Sequence, residues 1–371
     1  MRIAPLTLLA LFLAVVSVAD LSDQELALLH LSTAWASEVE VQSDSQDVQR
    51  WAGEKPRTLG LRFGLYTPGS DFNFQPDRGP GVTFVPGNSP RVYTELSYER
   101  IAVGIQIPSS IQQSESSDNS SAVTSSPKGQ SNFRDFQFRS FGHRNNFEFL
   151  HQRVDGFALQ DWPDANRPGF WRRRGDVRIE INQFNWLQSL SPAHYSKAIA
   201  MDLKGKQIKS GGALLAFLSV GEFRLSADQA LLPAELAPTS GEIGQLRGLV
   251  SQFVLIGSGY GHVLPITDSL FAGFNVLGGL GLRRQKYEAS EVQDWHWGPA
   301  HRVGVRPIIG FNGKKWLGSF SLLVDSTAWR VGDAQFSQAT FALKGSIGYR
   351  FEDVEIPSYD LIENGLRRLI Q

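Results

Sequence analysis

Ala339-Thr340-Phe341-Ala342-Leu343-Lys344-Gly345-Ser346-Ile347-Gly348-Tyr349-Arg350-Phe351 decides the fold. In an extended chain successive side chains point to opposite faces. Ala339, Phe341, Leu343, Gly345, Ile347, Tyr349 and Phe351 therefore share one face, and Thr340, Ala342, Lys344, Ser346, Gly348 and Arg350 the other. A soluble sheet turns such an apolar face to a core. A membrane barrel turns it to lipid and lines its lumen with the polar face.

The same period of two recurs upstream. Leu59, Leu61, Phe63 and Leu65 oppose Gly60, Arg62, Gly64 and Tyr66. Arg91–Tyr98 and Arg100–Ile107 read as a hairpin, as do Phe133–Phe141 and Phe147–Gln152. Val177, Ile179 and Ile181 alternate with Arg178, Glu180 and Asn182. Tyr195–Leu203, Ala213–Leu225, Leu249–Gly261, Leu270–Leu282, Arg302–Asn312 and Trp316–Val324 complete the set with the final run. The count is odd, whereas bacterial single-chain barrels have even numbers. The alternation breaks between Leu187 and Ala213, so one run there is not a barrel strand. The expectation is an all-β, antiparallel up-and-down transmembrane barrel of about twelve strands.

Periodicity alone does not separate a barrel from a sandwich. The N-terminus and the strand lengths favour the barrel. Arg2, the apolar Pro5–Val16 and the small residues Ser17-Val18-Ala19 form the pattern of a cleaved secretory signal. No later apolar run is long enough for a membrane helix, but strands need only about 9–11 residues to cross. Residues 1–19 are thus expected to be a signal peptide, 20–55 a periplasmic extension, 56–351 the barrel and 352–371 an amphipathic tail. In that tail Leu361, Ile362, Leu366, Leu369 and Ile370 would line one side of a short helix. Thr67–Pro90, Pro108–Asn132 and Asp155–Gly175 read as long external loops, and the turns near Glu99, at His143–Asn145 and at Gly313–Lys315 as short periplasmic ones. Ser109–Ser131 is Ser-rich and too poor in apolar residues to bury a core of its own.

The formal charge is −1 and Cys is absent. Near-neutrality gives no pull on nucleic acid, and a chain without thiols has neither disulfides nor thiolate chemistry.

Asp135-Phe136-Gln137-Phe138-Arg139 and Gln152-Arg153-Val154-Asp155-Gly156-Phe157 are followed in order by further short pieces. These are Gln207-Ile208-Lys209-Ser210-Gly211-Gly212, Leu231-Leu232-Pro233-Ala234-Glu235 and Gly259-Tyr260-Gly261-His262. On these pieces the chain, from about Arg57 to Phe351, resembles the uncharacterised domain family 4421, a group of outer-membrane β-barrels. His262 stands where that pattern favours an aromatic, and the Ser109–Ser131 loop is longer than usual. The resemblance implies an outer-membrane barrel and carries over no activity and no site residue. The last strand is also similar to the targeting signal of outer-membrane proteins, with Tyr349 and Phe351 on its apolar face, although a tail follows from Glu352.

The candidate lumen residues are Arg62, Arg100, Arg178, Glu180, Arg302, Arg306, Lys344 and Arg350, which tilt the interior towards anions, partly offset by Glu180, Glu222 and Asp325. Arg172, Arg173 and Arg174 beside Trp171 are a candidate contact for lipopolysaccharide phosphates through charge-assisted hydrogen bonds; the plainer reading is a solvated loop base. Trp295-His296-Trp297 with His301 suits an interfacial aromatic girdle, or a sugar- or metal-binding loop. No carboxylate pair accompanies these His residues, so no metal or cofactor is expected. A Gly-x-Ser-x-Gly elbow is absent.

The leading expectation is a non-enzymatic outer-membrane barrel of a Gram-negative bacterium: a narrow channel, plugged barrel or surface scaffold. Its partners are then membrane lipid, lipopolysaccharide and the barrel-assembly machinery. The alternatives are an outer-membrane hydrolase of lipid or peptide, and a soluble periplasmic sandwich that binds glycan or lipid.

Overall fold

A computed structural model of the chain describes residues 52–53, 58–77, 80–87, 90–98, 101–107, 131–141, 144–164, 167–192, 194–195, 197–203, 206–207, 209–236, 244–288, 295–352 and 354. The signal peptide, nearly all of the N-terminal extension, the Ser-rich loop up to Gln130, and the C-terminal tail apart from Glu352 and Val354 lie outside these residues.

The strands are β1 (Ala52–Gly53), β2 (Thr58–Pro76), β3 (Val82–Val85), β4 (Arg91–Tyr98), β5 (Ile101–Ile107), β6 (Asn132–Phe141), β7 (Asn145–Asp164) and β8 (Arg167–Ser189). A helix α1 (Lys197–Asp202) and β9 (Lys206–Gln207) follow. Then come β10 (Gly211–Ser226), β11 (Gly248–Pro265), β12 (Leu270–Glu288), β13 (His296–Asn312), β14 (Trp316–Val331) and β15 (Ala334–Glu352). The antiparallel order β2-β4-β5-β6-β7-β8-β10-β11-β12-β13-β14-β15 closes on itself. In the closing ladder β15 pairs with β2 from Ala334 opposite Pro76 to Glu352 opposite Thr58. That ring has twelve strands. The one surplus run, Tyr195–Leu203, contains α1 and is no part of the wall.

The ring is closed and its large apolar side chains face outwards, which removes the sandwich alternative. Leu280 is 71% and Ile256 64% exposed, on adjoining strands opposite one another. Phe63, Phe320, Phe341 and Ile347 continue the band. From β7 to β13 its upper edge is traced along one paired row, which climbs with the strand tilt. Phe149 pairs with Phe184, Phe184 with Val220, Val220 with Val254, Val254 with Leu282 and Leu282 with Pro299. The outward positions of β11 run down from Val254 to Leu264. Ten residues at about 3.3 Å each, tilted by about 40°, give roughly 25 Å, the height of the apolar band of a membrane barrel.

Above that band the polarity of the two faces inverts while the strand parity holds. On β2, inward positions pass from Arg62 to Phe72 and Phe74; outward positions pass from Phe63 and Leu65 to Asp71 and Asn73. Water surrounds the wall there, so the apolar residues turn inside. For the same reason Val177, Ile179 and Ile181 of β8 are buried inside the barrel, and Arg178 and Glu180 stand on its outer face. The expectation that Arg178 and Glu180 line the lumen is corrected on this ground. Likewise Thr67–Pro90 and Asp155–Gly175 are largely strand, since β2, β7 and β8 extend beyond the membrane.

One bulge tunes this region. Gly156 has φ 85°, a conformation that favours glycine, and the β7–β8 register shifts between Asp155 and Phe157. The shift puts Phe157 and Leu159 on the inner face with Val154, where all three are buried. The short strand β3 bridges the upper ends of β2 and β7, with Phe84 opposite both Phe72 and Leu159.

Replacing Val276, near the middle of the band, by Arg is expected to cost about 2–4 kcal/mol in urea-unfolding measurements in lipid vesicles. The same change at Gln335, above the band, is expected to cost about 0–1 kcal/mol.

Candidate functional site

The inside of the ring is the place where this chain brings chemistry together, and it is filled in three zones. The upper zone, beyond the apolar band, is aromatic. Phe72 stacks on Phe84 at 4.4 Å, Phe74 meets Phe336 edge-on at 4.9 Å, and Trp329 lies 4.1 Å from Phe336. Phe223 joins Trp329 at 5.7 Å and Phe157 joins Phe72 at 5.2 Å. These rings come from six strands around the circumference and so span the lumen. Arg283 closes the cluster, with its guanidinium 3.2 Å above the Trp329 ring.

The middle zone is polar. A cavity of about 90 Å³ is lined by Tyr66, Tyr93, Asp135, Glu148, Arg306 and Lys344 among others, room for several waters. Asp135 Oδ1, Gln106 Oε1 and Arg306 Nε are buried there without a protein partner. The Lys344 ammonium sits 4.0 Å over the Tyr93 ring. On the other side of the lumen Gly257 and Gly279 admit the Phe217 ring against the wall, where a Cβ would strike it.

The lower zone, at the end opposite the aromatic one, is a plug made by the connection from β8 to β10. Its residues Tyr195, Ala200, Met201 and Leu203 are buried in the apolar cluster with Phe271, Ile308 and Leu317. The Tyr195 hydroxyl donates to Asn275 Oδ1. Asp202 ion-pairs with Arg139, which also pairs with Glu95, and Glu95 with Arg62. All four side chains are at most 5% exposed. Arg350 donates to the Leu203 carbonyl at 3.0 Å and to Asn312 Oδ1 at 2.9 Å. Leu203 has φ 59°, the left-handed conformation that commonly ends a helix. Its carbonyl is thus held where α1 stops. The β1–β9 ladder pairs Ala52 and Gly53 with Gln207 and Lys206.

Of the lumen residues expected from sequence, Arg62, Arg302, Arg306, Lys344 and Arg350 are placed inside, Arg178 and Glu180 outside, and Arg100 lies outside the described residues. Arg302 binds Asp325 at 2.8 Å and reaches Ser219 at 2.8 Å and Asn185 at 3.2 Å. Carboxylates thus match Arg62 and Arg302, while Arg350 binds carbonyls and Asn312 and Lys344 stands over Tyr93, so the interior keeps part of its tilt towards anions. Glu222 stands on the outer face with Arg224. Sequence reasoning missed Glu95, Arg139, Asp202 and Asn275. The inward parity of Glu95 and Arg139 was available from their strands; the plug that joins them was not.

The basic run at Arg172–Arg174 divides. Arg172 pairs with Glu235 at 3.1 Å and holds that carboxyl below its ordinary range. Arg173 is exposed. Arg174 is buried against Asp176 at 2.8 Å and the carbonyls of Ala230 and Leu231, which fastens the β10–β11 connection to β8. Arg174 is thus turned into its own chain and does not present a phosphate contact.

His262 meets Ser210 Oγ at 3.1 Å through Nε2 and Tyr260 Oη at 3.1 Å through Nδ1. The tyrosine occupies the place that a carboxylate takes in a Ser–His–Asp triad. His296 packs on Tyr287 at 5.4 Å, and Trp297 is 63% exposed on the outer face. Among the described residues no group of three or more His, Asp or Glu side chains is placed to hold a metal.

Solved structures similar to this chain are outer-membrane proteins. The protease OmpT from Escherichia coli is 10% identical, with 80% of this chain and 97% of that chain covered and a TM-score of 0.36. Ail, the attachment invasion locus protein of Yersinia pestis, is 9% identical over 80% and 100%, with a TM-score of 0.21. The toluene transporter TodX of Pseudomonas putida is 9% identical over 82% and 77%, with a TM-score of 0.23. At these values nothing of their activities passes to this protein. No curated protein matches the chain. The family profile described as a domain of unknown function, DUF4421, matches residues 50–351, all of the closed ring but Glu352, and the chain belongs to that family.

Proposed function

We propose that this protein is exported by its N-terminal signal and assembled by the barrel-assembly machinery into the outer membrane of a Gram-negative bacterium. There it acts as a closed, non-enzymatic barrel: a rigid scaffold for its external crown, without a conducting pore. The observation that carries the reading is α1 inside the lumen, with Asp202 joined to Arg139 of the wall. A loop resting against a rim needs no buried ion pair. Burying two charges is costly unless each is matched, so the pair specifies position more than it adds stability. The aromatic zone at the opposite mouth supports the same reading, because a seal at each end leaves only a small polar cavity between them.

Two experiments test it. In planar bilayers the purified protein is expected to show no steady conductance; a stable open current would overturn the proposal. Asp202→Ala leaves the Arg139 guanidinium short of one partner and is expected to lower stability by about 3–5 kcal/mol. The chain has no cysteine, so Ser321→Cys, on the cavity wall, reports access. It is expected to resist a membrane-impermeant maleimide alone and to react when combined with Asp202→Ala.

A further inference from the structure

The outer face carries an asymmetric charged belt directly above the apolar edge. Two residues beyond the row that ends the band, His151 pairs with Asn182, Asn182 with Glu222, Glu222 with Gln252, Gln252 with Arg284 and Arg284 with Trp297. In the next row Arg153 pairs with Glu180, Glu180 with Arg224, Arg224 with Val250 and Val250 with Lys286. Arg178, opposite Asp155, stands one row higher. Arg153, Arg178, Arg224, Arg284 and Lys286 thus occupy three successive rows of the sector from β7 to β12, with the three carboxylates Asp155, Glu180 and Glu222. In the sector from β14 through β15 to β2 the outward positions towards the upper strand ends are Ser337, Gln335, Asn73 and Gln75, with Arg330 paired to Asp77 at 2.6 Å.

The cations are held in place. Arg178 and Arg224 are each engaged through Nε, by Asp155 at 2.5 Å and by Glu222, and their side chains are about half exposed, at 50% and 49%. Gln252 donates to Glu222 at 2.8 Å and accepts from Arg284 at 2.6 Å. Arg284 lies 4.6 Å and Lys286 5.4 Å from the Trp295 ring, which sets both against one aromatic face.

We propose that this belt binds the phosphorylated glucosamine headgroup of lipopolysaccharide in the outer leaflet, with its acyl chains on the Phe149–Pro299 row below. Guanidinium groups suit phosphate oxygens by paired, charge-assisted hydrogen bonds. Anions of the membrane surface lie at the depth where the apolar row ends. Ordinary snorkelling of long cations at an interface accounts for scattered arginines, but not for their concentration in one sector on a connected hydrogen-bonded frame. The inference rests on the outer-membrane placement proposed above.

The test is native mass spectrometry of purified, refolded protein with lipid A as probe, which does not depend on the cellular address. Wild-type protein is expected to retain bis-phosphorylated lipid A and to bind dephosphorylated lipid A at least about tenfold more weakly. Arg224→Gln combined with Lys286→Gln is expected to weaken lipid A binding at least about tenfold, while Arg330→Gln on the opposite sector leaves it unchanged. Each variant is first checked for the slower gel mobility on boiling that marks a closed barrel, and Arg178→Gln serves in place of any that fails. Equal binding of phosphorylated and dephosphorylated lipid A, equal binding of phosphatidylglycerol, or an unaltered affinity in the double variant would each overturn the belt. Recovery of the protein from a soluble fraction would instead overturn the placement.

Discussion

The structure depends on one constraint: inside hydrocarbon, every backbone N–H and C=O must find its partner within the protein. A sheet meets it only by closing. Here the closing ladder is β15 on β2, an uninterrupted register from Ala334 to Glu352. This explains why the last strand is the most regular piece of sequence in the chain. It also explains the even strand number, because both ends of the ring must lie on the same side of the membrane to meet as antiparallel neighbours. With the edges removed, the apolar side chains can face outwards without inviting a second sheet to pair.

Closure then forces the question of what fills the inside. A ring of this size leaves an interior that side chains only partly occupy. The protein uses two different solutions in one lumen. Where water surrounds the wall, the interior is an aromatic core like that of a soluble protein. At the opposite mouth the chain folds back a connection of its own and fixes it by the Arg62–Glu95–Arg139–Asp202 chain of charges and by Arg350 on the end of α1. The polar zone between them is what remains when neither seal reaches the middle.

Much of this was legible in the sequence, and the failures have physical causes. The alternation at Phe341, Leu343 and Ile347 states the fold directly because one solvent, lipid, contacts that face along its whole length. Val177, Ile179 and Ile181 show the same alternation, but the strand there has left the membrane, so apolar now means inside; nothing local distinguishes the two cases. Tyr195–Leu203 failed differently. Tyr195, Lys197, Met201 and Leu203 fit a period of two as well as one helical turn, and a single turn inside a plug is decided by its surroundings. The odd number of runs was the signal that one of them was false. The candidate site was legible in part. Inward positions such as Arg62, Arg302 and Lys344 follow from parity. Their partners follow from register across several strands, and Asp202 follows only from the fold-back.

The central claim is that lipid, and no protein surface, covers the outer apolar band. Since the chain lacks cysteine, one spin label at Leu280→Cys in a reconstituted bilayer reads this directly by power saturation. The account predicts relaxation by oxygen well above relaxation by a water-soluble nickel complex, with the ranking reversed for a label at Gln335→Cys. A label at position 280 that neither reagent reaches, or that the nickel complex reaches first, would contradict it.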